Sequence, residues 1–262
     1  MTELVLALLL GLSAAWYLTQ ARRPGTRIPA WRQAAFVGGI AAIAIALLSP
    51  LDAVVERSFT AHMVQHLLLT SVAGPLVVLG RPLTLAIRSG PGHTWARRAV
   101  RSRPFAVLTH PVVAWMAFVG TMYAAHLGPL YEKALESPAW HAAEHSLFLA
   151  TAILFWLPVA GETRAPNRLG FGARLLYLAL AMPAEGFLAL AIFSAGHVLY
   201  PAYAGIGAMD DQRAAAALLW IVGDLVVLAA LIVTALAWKA DEEERQRRIE
   251  EGHGLRPTPA PQ

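Results

Sequence analysis

The chain alternates long apolar stretches with short polar ones. Runs of about 20 predominantly apolar residues, the length at which a helix crosses the hydrocarbon core of a bilayer, fall at Glu3–Gln20, Trp31–Pro50, Met63–Gly80, Val107–Leu127, His141–Ala160, Ala173–Ala195 and Ala214–Trp238. A backbone in lipid must satisfy its own hydrogen bonds, so such runs fold as helices. The pattern therefore predicts an all-α fold, a polytopic membrane bundle of seven transmembrane helices. The connections are too short for a separate soluble domain, so residues 1–240 read as one transmembrane domain. Residues 241–262 read as a charged tail, a helical stub that gives way to disorder.

Two of the runs carry helix breakers. Gly74-Pro75 interrupts the third, and Pro183 with Gly186 interrupts the sixth. Freed carbonyls are expected there, tolerated only where a neighbour or cavity water satisfies them.

Composition agrees with the pattern. With 57% hydrophobic and 15% charged residues and a mean hydropathy of +0.52, the chain falls in the integral membrane class. Its net charge of +4 is a topology signal. Placing the N-terminus outside puts 18 of the 21 Lys and Arg in the segments Ala21–Gln33, Arg81–Ala106, Gly161–Arg174 and beyond Trp238, and leaves only Arg57, Lys133 and Arg213 on the other side. Basic residues concentrate in cytoplasmic loops, so the N-terminus is expected outside and the C-terminus in the cytoplasm. Glu3 ahead of the first run and Arg22-Arg23 directly after it fit a retained span rather than a cleaved signal. No nucleic-acid partner is implied, and part of the Arg-rich loop from Arg81 to Phe105 is expected to meet anionic lipid. The chain has no cysteine, which excludes disulfides and thiolate metal sites within it.

That topology sorts the nine histidines. His93, His110 and His253 go to the cytoplasmic side. The other six all stand at outer helix ends: His62 and His66 at the start of the third span, His126 at the end of the fourth, His141 and His145 at the start of the fifth, His197 at the end of the sixth. Residues i and i+4 share a helix face, so His62/His66 and His141/His145 form two-nitrogen clamps, and Glu144 joins the second. Imidazole suits copper, zinc, iron and nickel, which makes these six histidines candidate ligands of a metal on the outer side. Met63 and Met122 lie near the same level, where a thioether would favour Cu(I). Glu185 and Asp224 fall near the middle of the sixth and seventh spans, where an ionisable group is a functional candidate, either as a relay or as a helix–helix hydrogen bond. Tyr200, Pro201 and Tyr203 are candidates for an outer cap.

The segments HMVQHLLLTSVAGPLVVLGRPL, WHAAEHSLFLATAILFWLPV and GHVLYPAYA, set in a seven-span bundle, resemble the CtaG-type cytochrome c oxidase assembly factors. The resemblance runs from about Leu47 to Trp238. It implies a non-catalytic assembly factor of the bacterial cytoplasmic (inner) membrane that binds copper and assists its delivery to the copper B centre of a haem–copper oxidase, with the oxidase subunit that carries this centre as partner. Copper is then the expected metal, with zinc as the alternative.

Three other readings stay open on residues alone. His141-Ala142-Ala143-Glu144-His145 matches the His-x-x-Glu-His string of one zinc peptidase group, with Glu144 as the base that activates a zinc-bound water. His66 with His145, or His126 with His197, would suit the two axial positions of a haem. Glu185 and Asp224 below the histidines would suit a path for copper or protons.

Overall fold

The computed structural model describes residues 2–23, 28–88, 92–128, 130–160 and 167–254. Among them all regular structure is helical. In chain order the elements are α1 (Thr2–Ala21), α2 (Ala30–Leu48), α3 (Leu51–Val55) and α4 (Phe59–Leu67), which continues through a π-helical segment (Leu68–Ala73) into α5 (Gly74–Leu79). Then come α6 (Pro82–Arg88), α7 (His93–Val100), α8 (Arg103–Leu108), α9 (Pro111–Leu127), α10 (Leu130–Glu136), α11 (Pro138–Ala160), α12 (Phe171–Phe193), a 3₁₀ turn (Pro201–Tyr203) and α13 (Ala208–Gly254).

Six of these reach the length and apolarity of a membrane span: α1, α2, the continuous Phe59–Leu79 unit, α11, α12 and α13. The fourth apolar run, read as Val107–Leu127, is divided instead. Pro111 disfavours helical backbone in the residue before it, and His110 is extended at φ −63° and ψ 129°. Helix α9 therefore starts at Pro111, where the missing N–H has no helical partner to lose, and runs for 17 residues, roughly 26 Å.

The irregularity expected at Gly74-Pro75 takes the form of the π segment just before it. The Gly74 N–H bonds the Leu69 carbonyl, five residues back. In α11 and α12, which carry Pro158 and Pro183 inside, tyrosine hydroxyls bring donors to nearby carbonyls. Tyr177 donates to Phe155 O at 3.0 Å and Tyr123 to Ala184 O at 2.8 Å.

Burial locates the centre of the bundle. Two-thirds of the Phe59–Leu79 unit and half of α11 are buried, against about a sixth of α1, so the helices that carry both histidine pairs are interior. Helix α4 packs on α13, the π segment and α5 on α2 and α11, α11 on α9, and α12 on α13. At the periphery, Tyr17 of α1 stacks on Phe36 of α2 with ring centres 3.9 Å apart and donates to Gly80 O at 2.6 Å. A Cβ on Gly80 would lie 2.6 Å from that of Phe36, so this crossing requires glycine. Helix α13 has 47 residues, about 70 Å, and so extends far beyond any span. Its exposed end carries the i,i+4 pairs Lys239–Glu243, Asp241–Arg245 and Glu244–Arg248. The disorder expected for the rest of the tail falls on residues 255–262, outside the described residues.

Candidate metal centre

The site is set by how α4 begins. The first N–H groups of a helix lack helical acceptors. Here Ser58 Oγ accepts from Ala61 N at 3.2 Å. Asp211, at the start of α13, accepts from Phe59 N at 2.7 Å, Thr60 N at 3.2 Å and Ser58 Oγ at 3.1 Å. A carboxylate at a helix N-terminus is also favoured by the helix dipole. The next residue, Gln212, accepts from Leu199 N at 2.8 Å and donates to Ile192 O at 3.2 Å and His197 O at 3.3 Å. Two successive side chains of α13 thus hold both the head of α4 and the segment that carries Tyr200 and Tyr203. Gln65 ties α4 to α2 by donating to Ala46 O at 2.7 Å.

On this frame, α4 and α11 bring His62, His66, Glu144 and His145 together. One ligand atom from each lies within 4.8 Å of all the others, and all four side chains are buried. Glu144 Oε2 lies 3.6 Å from Nε2 of both His62 and His66. A tetrahedral ion with bonds of about 2.0–2.1 Å separates its ligand atoms by roughly 3.3–3.4 Å, so these two separations are already close to the edge length of such a polyhedron. His145 Nε2 and both Glu144 oxygens are buried and make no hydrogen bond among the described residues. Buried polar atoms normally have partners, so the donor set fits a bound cation.

Hydrogen bonds at the far side of two rings decide which nitrogen faces inward. Tyr203 donates to Val55 O at 3.0 Å, so its oxygen accepts from His62 Nδ1–H at 3.0 Å, which leaves the Nε2 lone pair of His62 turned to Glu144. His126 Nδ1 likewise donates to Met122 O at 2.8 Å. Tyr200 donates to His126 O at 2.7 Å. Burial, with Glu144 and Tyr203 beside it, pushes the Tyr200 phenol above its ordinary range and keeps it a donor.

The other expected residues fall around this group. The His126 ring centre is 5.7 Å from that of His66, and that of His141 is 4.2 Å from His145 and 5.1 Å from His62. His141 is half-buried, although its Nε2 is enclosed. His197 is exposed. Helix α12 closes at Phe193 with Ser194 as its cap, so His197 lies past the helical face that would have carried it inward. Met63 and Met122 are buried in the main hydrophobic cluster. Asp224 accepts from Trp220 Nε1 of its own helix at 2.9 Å, and Glu185 is buried against Gly223. Asp211, Gln212 and Gln65 escaped the sequence reading. The signals for them, a serine three residues before Ala61 and an Asp-Asp pair ahead of the last run, are too common to single out.

Three imidazoles and a carboxylate are a borderline-to-hard donor set. It suits Cu(II) or Zn(II) better than Cu(I), which prefers sulfur, and affinity rises to a maximum at Cu(II) among the divalent first-row ions.

Comparison with known proteins adds the family. Residues 13–241 match the family described as cytochrome c oxidase caa3 assembly factor. An uncharacterised protein of Mycobacterium leprae is 27% identical over 94% of this chain, and ones from Mycobacterium bovis and Mycobacterium tuberculosis are each 27% identical over 88% of it. The chain spans about two-fifths of the length of these relatives. No solved structure matches it. With most of its length inside the matched region, the chain belongs to the cytochrome c oxidase caa3 assembly factor family.

Proposed function

We propose that this protein is a copper-carrying assembly factor for a haem–copper oxidase: copper is held as cargo by His62, His66, Glu144 and His145 and passed to the copper B centre of an oxidase subunit. The observation that carries the reading is the convergence of four buried ligand-bearing side chains from two helices in a chain of an oxidase assembly family.

In this reading α9 serves as a seventh span, which puts the N-terminus outside and the C-terminus in the cytoplasm. The histidine end of the bundle, formed by the starts of α4 and α11 and the end of α9, then faces the periplasmic or extracellular side. The arginines of α6, α7 and α8 lie at the opposite end of the bundle, as the bias of basic residues toward the cytoplasm asks. Copper arrives at half-buried His141, moves to the buried group and leaves by ligand exchange with the oxidase.

Two alternatives lose ground on geometry. A hydrolytic zinc needs an open position for water and substrate, whereas these four side chains are buried and Glu144 sits among the ligands, 3.6 Å from two imidazoles. A haem between His66 and His145, whose ring centres are 5.6 Å apart, would have to displace Glu144 and also Phe148, packed on His66 at 4.4 Å.

The test is elemental mass spectrometry on the full chain, purified without a histidine tag and loaded with copper or zinc, against a His66→Ala/His145→Ala double variant. Stoichiometric copper that the variant loses supports the proposal. Preference for zinc with measurable hydrolysis would replace it, and metal content independent of the two histidines would end it.

A further inference from the structure

One helical turn past His66, the third span reaches Thr70 and Ser71. With Glu185 of α12 and Gly223 of α13 they line a small cavity of about 10 Å³, room for roughly one water, walled by Phe118 and Phe155. Glu185 is 5% exposed, and its Oε2 makes no hydrogen bond among the described residues. A Cβ on Gly223 would lie 2.6 Å from that oxygen, so the carboxyl keeps its present position only because α13 has no side chain there.

The π segment supplies a complementary group. Because the Gly74 N–H bonds Leu69 O and Pro75 has no N–H, the helical ladder offers no donor four or five residues ahead to the Thr70 carbonyl. Its hydroxyl is turned back along the helix, donating to His66 O at 2.8 Å. The cavity therefore sets a residue with a carbonyl the ladder leaves open beside a carboxyl without a partner. A single π turn inside an α-helix often marks a functional site, and an ionisable side chain at membrane depth must be neutralised or paired.

We propose that Glu185, the Thr70 carbonyl and the space left by Gly223 form a proton-holding site inside the bundle, in which a resident water exchanges the carboxyl proton with solvent. Most of the neighbouring polar groups are otherwise engaged, although the second carboxylate oxygen of Asp224 is buried without a hydrogen bond among the described residues. Asp224 accepts from Trp220, Tyr123 donates to Ala184 O, Tyr177 donates to Phe155 O, and His66 belongs to the metal group. Of the two mid-membrane acids, Glu185 alone lines the cavity. The site stands whether or not the histidine group carries copper.

Infrared difference spectroscopy on the full, metal-free chain in lipid nanodiscs tests it. The expected result is a carbonyl stretch of a protonated carboxyl at neutral pH that shifts in D₂O, is lost in Glu185→Gln and persists in Asp224→Asn. In Gly223→Ala, where the added methyl displaces the carboxyl, the band moves or its exchange slows. The proposal is overturned by any of four outcomes: no such band in the unaltered chain, a band that survives Glu185→Gln, a band that never exchanges in D₂O (a sealed structural hydrogen bond), or a band abolished by sodium or potassium, which would make the cavity a cation site.

Discussion

The two histidine pairs have the same spacing and different surroundings. In α4, His62 and His66 are both buried. The head of their helix is capped by Ser58 and Asp211, and the tautomer of His62 is set by Tyr203. In α11, His145 is buried but His141 is only half-buried, and no side chain caps the start of its helix among the described residues. An i,i+4 pair says only that two rings share a face. What the helix packs against decides whether the pair is a rigid seat or one with a less buried edge, and under the proposed carrier role the first would hold the cargo and the second would pass it on.

The sharpest way to break this contrast is to remove the rigid half. His62→Ala should weaken copper binding by more than the roughly 100-fold that marks the upper end of losing an outer partner of a ligand, because it takes away a buried ligand held in one tautomer. Competition with a chromophoric chelator measures it. A loss no larger than that of His141→Ala would mean that the two halves are equivalent. Tyr203→Phe keeps the ring and deletes the hydroxyl that receives His62 Nδ1–H. The expected cost is about 10–100-fold in affinity, together with a drop in thermal stability because His62 Nδ1–H and Val55 O both lose a buried partner, and an unchanged affinity would remove Tyr203 from the account.

Much of this is legible in the sequence. Six of the seven apolar runs became helices of spanning length because backbone in lipid has no alternative, and the i,i+4 histidines with Glu144 pointed to the group that the fold assembles. Where the structure departs from the pattern, the causes are physical. Pro111 split the fourth run, since a hydropathy reading does not weigh the conformation of the residue before a proline. His197 lay close enough to a run to be counted with it, but α12 ended first. Asp211 lies about 150 residues along the chain from the helix it caps, and a contact of that kind leaves no periodic trace in a sequence.

That cap supplies a smaller and different effect. Asp211→Ala removes acceptors from two N–H groups and one hydroxyl at the head of α4, and loss of a capping side chain costs about 0.5–2 kcal/mol. The change should lower the melting temperature in nanodiscs and loosen His62, so copper affinity falls less than in Tyr203→Phe. Asp211→Asn keeps an acceptor and should recover most of the stability. If both variants melted like the unaltered chain, the rigidity of the α4 half would have to come from packing against α13 alone.

The smallest equilibrium effect is expected at His141, and it is the one that separates holding from handing over. Its ring stands 4.2 Å from that of His145 and 5.1 Å from that of His62, close enough to share a cation in passage. The four-atom group is complete without it. His141→Ala should therefore leave copper affinity within a few-fold of the unaltered chain, since no ligand of the buried group is lost. Loading and release rates should both fall, and by the same factor, because a change that leaves the equilibrium constant alone must act equally in both directions. Stopped-flow exchange with a chelator reads both rates at once. A fall in affinity as large as that of His62→Ala would make His141 a ligand of the buried group. Unchanged rates would place the path for copper elsewhere, with His126, 5.7 Å from His66, as the next residue to change.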